Sequence, residues 1–274
     1  MKTTYVTADR LEQLVGNLSE RDQLILLDLA RVRVLGGTDL TRLHFADLAP
    51  SSRERTRRRV LARLVEQQLA ATLTRTVGGP KAGSSDLVYT LGVAGQKALP
   101  LLGAHTTSGP ETRIRSPWTP GALFLRHSLA VAALYVNLRV AERSTANGMG
   151  LGAFVTEPAS WHPDGAGGTL KPDAYIMLQS AEVEDHWWAE VDRATESIPT
   201  LRKKLRAYVD FARRGEPGPD EVMPKILVTV PHDHRLAAVR DLVASLPVPA
   251  TQLITATRHD QAVPFMITSL EVGS

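Results

Sequence analysis

Before residue 70 the apolar positions recur at helical spacing, and from 70 to 91 they fall in two strand-like runs. From Ser19 the run SERDQLILLDLARVRVLGG places Ile25, Leu26, Leu29 and Val32 on one face and meets a stop at Gly36-Gly37. Ser19 with Asp22 three residues on predicts a capping box. Thr38-Asp39 is read as the cap of a short second helix that ends before Pro50. Ser51 with Glu54 is read as the cap of a third, SSRERTRRRVLARLVEQQL, whose Val60, Leu61, Leu64, Val65 and Leu69 face inward. Ala70–Val77 and Asp86–Leu91 are rich in β-branched and apolar residues and flank a flexible connector at 78–85, which predicts a hairpin. Helices followed by a hairpin are the order of a winged helix-turn-helix, whose third helix enters the major groove while the wing lies on the adjacent backbone.

Residues 103–121 form turns and have no apolar period, so a linker at 105–120 separates a first domain, 1–104, from a second, 121–274. A helix over 122–143 is apolar around most of its circumference, which argues for burial against a sheet; His127 on it reads as a core or hinge histidine. At 170–178 Ala174, Ile176 and Leu178 alternate with Asp173, Tyr175 and Met177, as a strand requires. At 186–192 the same period puts Glu190 and Asp192 on one face with Trp188. A helix over 197–214 carries Leu201, Leu205, Tyr208 and Ala212 as its core stripe, with Lys204 on the flank and Lys203 nearly opposite. A continuous apolar strand at 224–230, a helix at 235–246 and a strand at 252–256 follow. The expected class is α/β (α+β): a winged helix-turn-helix, then a mixed central sheet flanked by helices.

Composition changes this picture in two places. The absence of cysteine removes disulfides, thiol nucleophiles and thiolate metal sites, leaving oxygen and imidazole ligands. The net charge of +3 divides unevenly, with residues 1–120 at +6 and the remainder at −3, which suggests a polyanion for the front half and a cation for the back. Arg53, Arg55, Arg57, Arg58, Arg59 and Arg63 crowd one helix and repel one another unless an anion neutralises them, as duplex DNA would. Arg55, Arg58 and Arg59 are assigned to the groove, and Arg75 and Lys81 of the hairpin to the backbone. The N-terminus has no signal-peptide core, and the apolar stretch 128–138 is about half of a bilayer span, so a cytoplasmic protein without membrane contact is expected.

If the strands at 170–178 and 186–192 pair through the turn at 179–185, Asp173, Glu190 and Asp192 converge at one sheet end. Like charges that close repel unless a cation sits among them, and Mg²⁺ or Mn²⁺ suits oxygen donors. Pro172-Asp173, sixteen intervening residues, and Glu190-Val191-Asp192 resemble the PD-(D/E)XK nuclease signature. That resemblance implies a restriction-endonuclease-like domain in which Asp173, Glu190 and Asp192 hold the metal for phosphodiester cleavage and a lysine orients the water. Asp192 occupies the usual lysine position, so Lys204 on the next helix takes that role, and Glu157 stands where the superfamily often has a further acid.

Over most of its length the chain resembles the replication-relaxation family of actinobacterial plasmids and integrative elements. The residues concerned are the front winged helix, Phe124 to Val131 (FLRHSLAV), Lys171-Pro172-Asp173, the EVDRATES block from Glu190 to Ser197, and Lys204 to Tyr208 (KLRAY). The resemblance implies processing of plasmid DNA for replication or conjugative transfer. The partners it implies are double-stranded DNA with a single-stranded or nicked region, and other plasmid-transfer proteins.

Three alternatives stay open. Tyr175 or Tyr208 would serve a relaxase-like route through a phosphotyrosine link. A non-catalytic DNA-binding accessory factor or transcription regulator would need no metal. A homodimer on a palindrome is compatible with a winged helix, although no dimer helix is legible. His232-Asp233-His234 is read as a helix-starting loop rather than a metal motif, and Trp187 and Trp188 as one core and one rim residue able to stack on bases.

Overall fold

The computed structural model describes residues 7–77, 86–103, 120–144 and 148–272. Its contacts divide the chain into two compact units, Met1–Val136 and Asn137–Ser274. Together they form an α/β protein with mixed sheets.

The first unit contains α1 (Ala8–Gly16), α2 (Glu20–Val32), β1 (Leu35–Gly36), α3 (Gly37–His44), α4 (Pro50–Glu66), β2 (Ala70–Val77), β3 (Asp86–Leu91), α5 (Val93–Ala98) and α6 (Ala122–Ser144) as far as Val136. The predicted capping box of α2 forms, with Ser19 and Asp22 each receiving the other's backbone N–H, and Ile25, Leu26, Leu29 and Val32 are buried. The helix ends earlier than the glycines suggest, at Arg33 in the left-handed region with φ 67°. Gly36 is then free to cap α3, in place of Thr38 and Asp39. α4 also starts differently: Pro50, whose fixed φ suits a first turn, opens the helix without a side-chain cap from Ser51.

β3 pairs antiparallel with both β1 and β2 in the order β1-β3-β2, so the helices and hairpin expected from the sequence are present. A Cβ on Gly92 would lie 2.0 Å from the Gln68 carbonyl oxygen, and only glycine lets the chain leaving β3 pass the end of α4. Lys81, the Arg75 side chain and the predicted linker apart from Pro120 lie outside the described residues. α6 packs Leu125 against Val34, Leu73 and Val88. Its Tyr135 hydroxyl donates to Asp28 of α2, so the front half of this apolar helix is held within the first unit. Among the described residues α6 is long and apolar enough to cross a membrane by length and composition, more than the stretch 128–138 indicates; its buried Leu125, Val131, Ala132 and Tyr135 are those of a core helix.

The second unit contains β4 (Gly150–Thr156), β5 (His162–Pro163), β6 (Thr169–Leu170), β7 (Ala174–Gln179), β8 (Glu184–Val191), α7 (Ile198–Arg214), β9 (Lys225–Val230), α8 (Asp233–Ala244), α9 (Ala250–Leu253), β10 (Ile254–Arg258) and α10 (Ala262–Val272). Five strands form one mixed sheet in the order β10-β9-β8-β7-β4, antiparallel across β4, β7 and β8 and parallel across β8, β9 and β10. α7 and α8 are the crossovers between the parallel strands, and their Leu201, Leu205, Val239 and Leu242 share a core with Trp188, Ile226 and Val228. Trp187 points the other way and meets Phe265 of α10 edge-on at 5.9 Å between ring centres. The sheet is therefore covered on both faces, and Trp187 and Trp188 are both buried, where the sequence suggested one at the rim.

Candidate functional site

The β7–β8 hairpin forms through the predicted turn, with Ala174 opposite Ala189, so the residue preceding β7 lies beside Glu190. Asp173 is fixed there by its own backbone: its N–H donates to the Ala189 carbonyl at 3.0 Å, and its Oδ2 accepts from the Val191 N–H at 2.7 Å. α7, begun by the Ser197 side-chain cap, sends Lys204 and Tyr208 from successive turns to the same point. Lys204 Nζ pairs with Glu190 Oε2 and lies 3.8 Å from Asp173 Oδ1. The Tyr208 hydroxyl donates to Glu190 Oε1 at 2.5 Å.

The cluster is enclosed, with Asp173 and Glu190 both buried. Burial pushes the Glu190 carboxyl up to about 8; Lys204 opposes the shift and Asp173 adds to it. Burial works against the Lys204 ammonium, but Glu190 and Asp173 overcome it and hold the group above the usual lysine range.

Asp192 is not part of this group. β8 ends at Val191, so the two-residue period that would align Asp192 with Glu190 stops one position short. The Asp192 N–H donates to the Thr229 carbonyl at 2.9 Å, and its Oδ1 accepts from the Ala194 N–H at 2.8 Å in a turn where Ala194 has φ 57°. Arg235 of α8 donates from Nε to Asp192 Oδ2 at 2.5 Å and from Nη2 to the Glu196 carbonyl at 2.9 Å. Glu157 is half-buried at the end of β4, and its N–H donates to the Asp173 carbonyl at 3.2 Å. Among the described residues no group of three or more histidines and acids could hold a metal ion.

On α4 the arginines divide. Arg53 donates to the Leu48 and Ala46 carbonyls, closing the turn that precedes the helix. Arg57 and Arg58 donate to Glu54 at 2.5 and 2.8 Å, and Arg63 donates to the buried Asp22 at 2.6 Å. Mutual repulsion on this helix is thus relieved largely inside the protein. Arg55 and Arg59, one turn apart and exposed, have no side-chain partner among the described residues, and Arg58 keeps 74% of its side chain exposed.

The model of the family described as replication-relaxation matches residues 26–226, from within α2 to the second residue of β9. The chain belongs to the replication-relaxation family. No curated protein and no solved structure matches it. The match takes in both α4 and the Asp173–Glu190–Lys204 cluster, and membership assigns the chain to plasmid or element replication and relaxation.

Within this member of the replication-relaxation family both candidate tyrosines are engaged. Tyr175 is buried, with its hydroxyl 2.8 Å from Asp220 and 2.6 Å from His186 Nδ1, and burial followed by Asp220 raises its pKa. Burial followed by Glu190 does the same to Tyr208. His232 caps α8, accepting from the Arg235 N–H at 3.2 Å, as its place in a helix-starting loop predicts. Sequence reasoning missed Arg235 as the partner of Asp192 and His259, whose Nδ1 lies 2.9 Å from Thr229 Oγ1 at the same sheet end. Both partners lie far along the chain from the residues they meet, and no spacing rule links them.

Proposed function

We propose that the chain is a cytoplasmic DNA-processing protein of a plasmid or integrative element. It binds duplex DNA through a winged helix and hydrolyses a phosphodiester at the Asp173–Glu190–Lys204 cluster. One observation carries this reading: the buried carboxylate that precedes β7, the buried carboxylate of Glu190 on β8 and one ammonium from the next helix meet at one end of the sheet. That is the set asked for by the PD-(D/E)XK resemblance once Lys204 stands in for the strand lysine. Asp192, held by Arg235, is left a structural part.

Two carboxylates suit Mg²⁺ or Mn²⁺, hard cations that complete their shell with water and substrate oxygens. Asp173 and Glu190 would hold the ion, which when bound would acidify water and offset charge on the leaving oxygen. The protein's own groups do the positioning. The Val191 N–H fixes one Asp173 oxygen, Tyr208 fixes one Glu190 oxygen, and Lys204 balances both carboxylates until a phosphate takes up its charge. Arg55, Arg58 and Arg59 supply the duplex contacts.

Supercoiled plasmid incubated with Mg²⁺ or Mn²⁺ tests the proposal. Nicking by the wild type that disappears in both Asp173→Ala and Glu190→Ala supports it, and an absence of nicking on cognate DNA that the protein still binds overturns the catalytic part. A second reading, a DNA-binding accessory factor with a degenerate nuclease fold, is favoured by one specific feature. Lys204 and Arg235 neutralise the three acids without an ion.

A further inference from the structure

We infer that Trp161 and Lys171 form a stacking platform for an unpaired nucleotide beside the acid cluster. Of the tryptophans described, Trp187 and Trp188 are buried and Trp161 is 40% exposed. Lys171 Nζ stands over the Trp161 ring at 4.6 Å from its centre and makes no ion pair among the described residues. An exposed indole and a lysine without a carboxylate partner are each unremarkable alone. Held together, they offer a π face for a base and a positive charge for the phosphate that follows it.

The platform is tied to the cluster. Lys171 precedes Asp173 by two residues, and the turn carrying Trp161 is anchored on the same link between β6 and β7. The buried Ser160 hydroxyl donates to the Pro172 carbonyl at 2.7 Å, the Glu157 N–H donates to the Asp173 carbonyl at 3.2 Å, and the Trp161 N–H closes the turn on the Pro158 carbonyl at 3.1 Å. His162, the next residue, contacts Trp188 and Phe211 at 5.7 Å between ring centres, so the neighbour of the exposed ring is set in the core. A nucleotide is the ligand that uses both features at once. This inference rests on the proposed function, because the acid cluster beside the platform is there read as the site of phosphodiester cleavage, and it adds that the strand arriving at that site is locally unpaired.

The test uses the full chain, a fluorescein-labelled oligo-dT strand and, separately, a labelled duplex, read by anisotropy at several salt concentrations. Trp161→Ala is expected to weaken oligo-dT binding about 5- to 100-fold, the range of one lost base stack, while duplex affinity is unchanged. Trp161→Phe, which keeps a ring, should retain most of the affinity. Lys171→Ala should lower the salt slope for oligo-dT by about 0.7. Wild-type oligo-dT affinity in Trp161→Ala, or no measurable oligo-dT binding by the wild type, overturns the inference. Should Trp161→Ala fail to fold, Lys171→Ala decides, and an unchanged salt slope overturns it. Plasmid nicking by the wild type is scored in parallel: nicking with oligo-dT binding insensitive to Trp161 removes the platform alone, whereas Trp161-dependent binding without nicking removes the catalytic proposal alone.

Discussion

Lys204 closes an ion pair with Glu190, and the same carboxylate receives the Tyr208 hydroxyl from the next turn of the helix. Glu190 is 2% exposed, so its charge depends on these two partners. Lys204→Ala removes one and leaves a buried carboxylate that can escape the penalty by taking up a proton. The expected cost is about 1–3 kcal/mol at neutral pH, below the loss usual for a buried pair, because the Glu190 pKa is already high. Urea denaturation of Lys204→Ala against wild type measures it. Lys204→Ala combined with Glu190→Gln should recover most of the loss.

Glu190 also predicts a pH dependence. Its folded pKa is raised to about 8, above the ordinary carboxyl value it regains on unfolding. Between those two values the folded protein binds more protons than the unfolded chain. The group's stabilising contribution is therefore fully present at low pH and is lost as pH rises toward 8. Unfolding free energies at pH 5, 6, 7 and 8 should show wild type losing stability relative to Glu190→Gln across the series. A difference that stays level would mean that Glu190 is ionised throughout.

How far the sequence reached depends on whether a residue's partner is local. The Ser19–Asp22 capping box, the inward face of α2 and the β7–β8 hairpin follow from spacing alone, and all three are present. Lys204 was placed beside the acids by projecting its helix at a fixed angle per residue, and it lies there. Asp192 meets Arg235 through a pairing that the two-residue period does not reach, since the period holds only while the strand continues and the strand ends at Val191. The start of α4 differs from the Ser51–Glu54 box that spacing predicts because Pro50 occupies its first turn, and Glu54 turns to Arg57 and Arg58. Trp161 left no mark at all, since a lone aromatic residue in a turn has no period to betray its exposure.

Arg235 and Asp192 form the second buried pair, with side chains 10% and 3% exposed. Arg235→Ala leaves Asp192 charged and enclosed and removes the bond to the Glu196 carbonyl, so a loss of about 3 kcal/mol is expected. Arg235→Lys should recover only part of it, because an ammonium cannot reproduce both directions of the guanidinium fork. If Asp192 is structural, Asp192→Asn should keep plasmid nicking while melting at a lower temperature, whereas Asp173→Asn should lose nicking with its melting temperature little changed. The two thermal curves and two nicking gels distinguish a structural acid from a metal-holding one.

The arginines of α4 separate in the same way. Arg55 and Arg59 are exposed and unpartnered among the described residues, so Arg55→Ala with Arg59→Ala should cost no stability. If each meets a phosphate, the double variant binds duplex DNA more weakly and its salt dependence falls by about 1.8 log units per log unit of salt. Arg63 supports the buried Asp22, so Arg63→Ala should cost about 1 kcal/mol and leave that slope alone. Anisotropy titrations at several salt concentrations, beside thermal melts of the same variants, provide the check. A slope unchanged in the double variant would move the duplex contacts away from α4 and leave its outer face a solvated one.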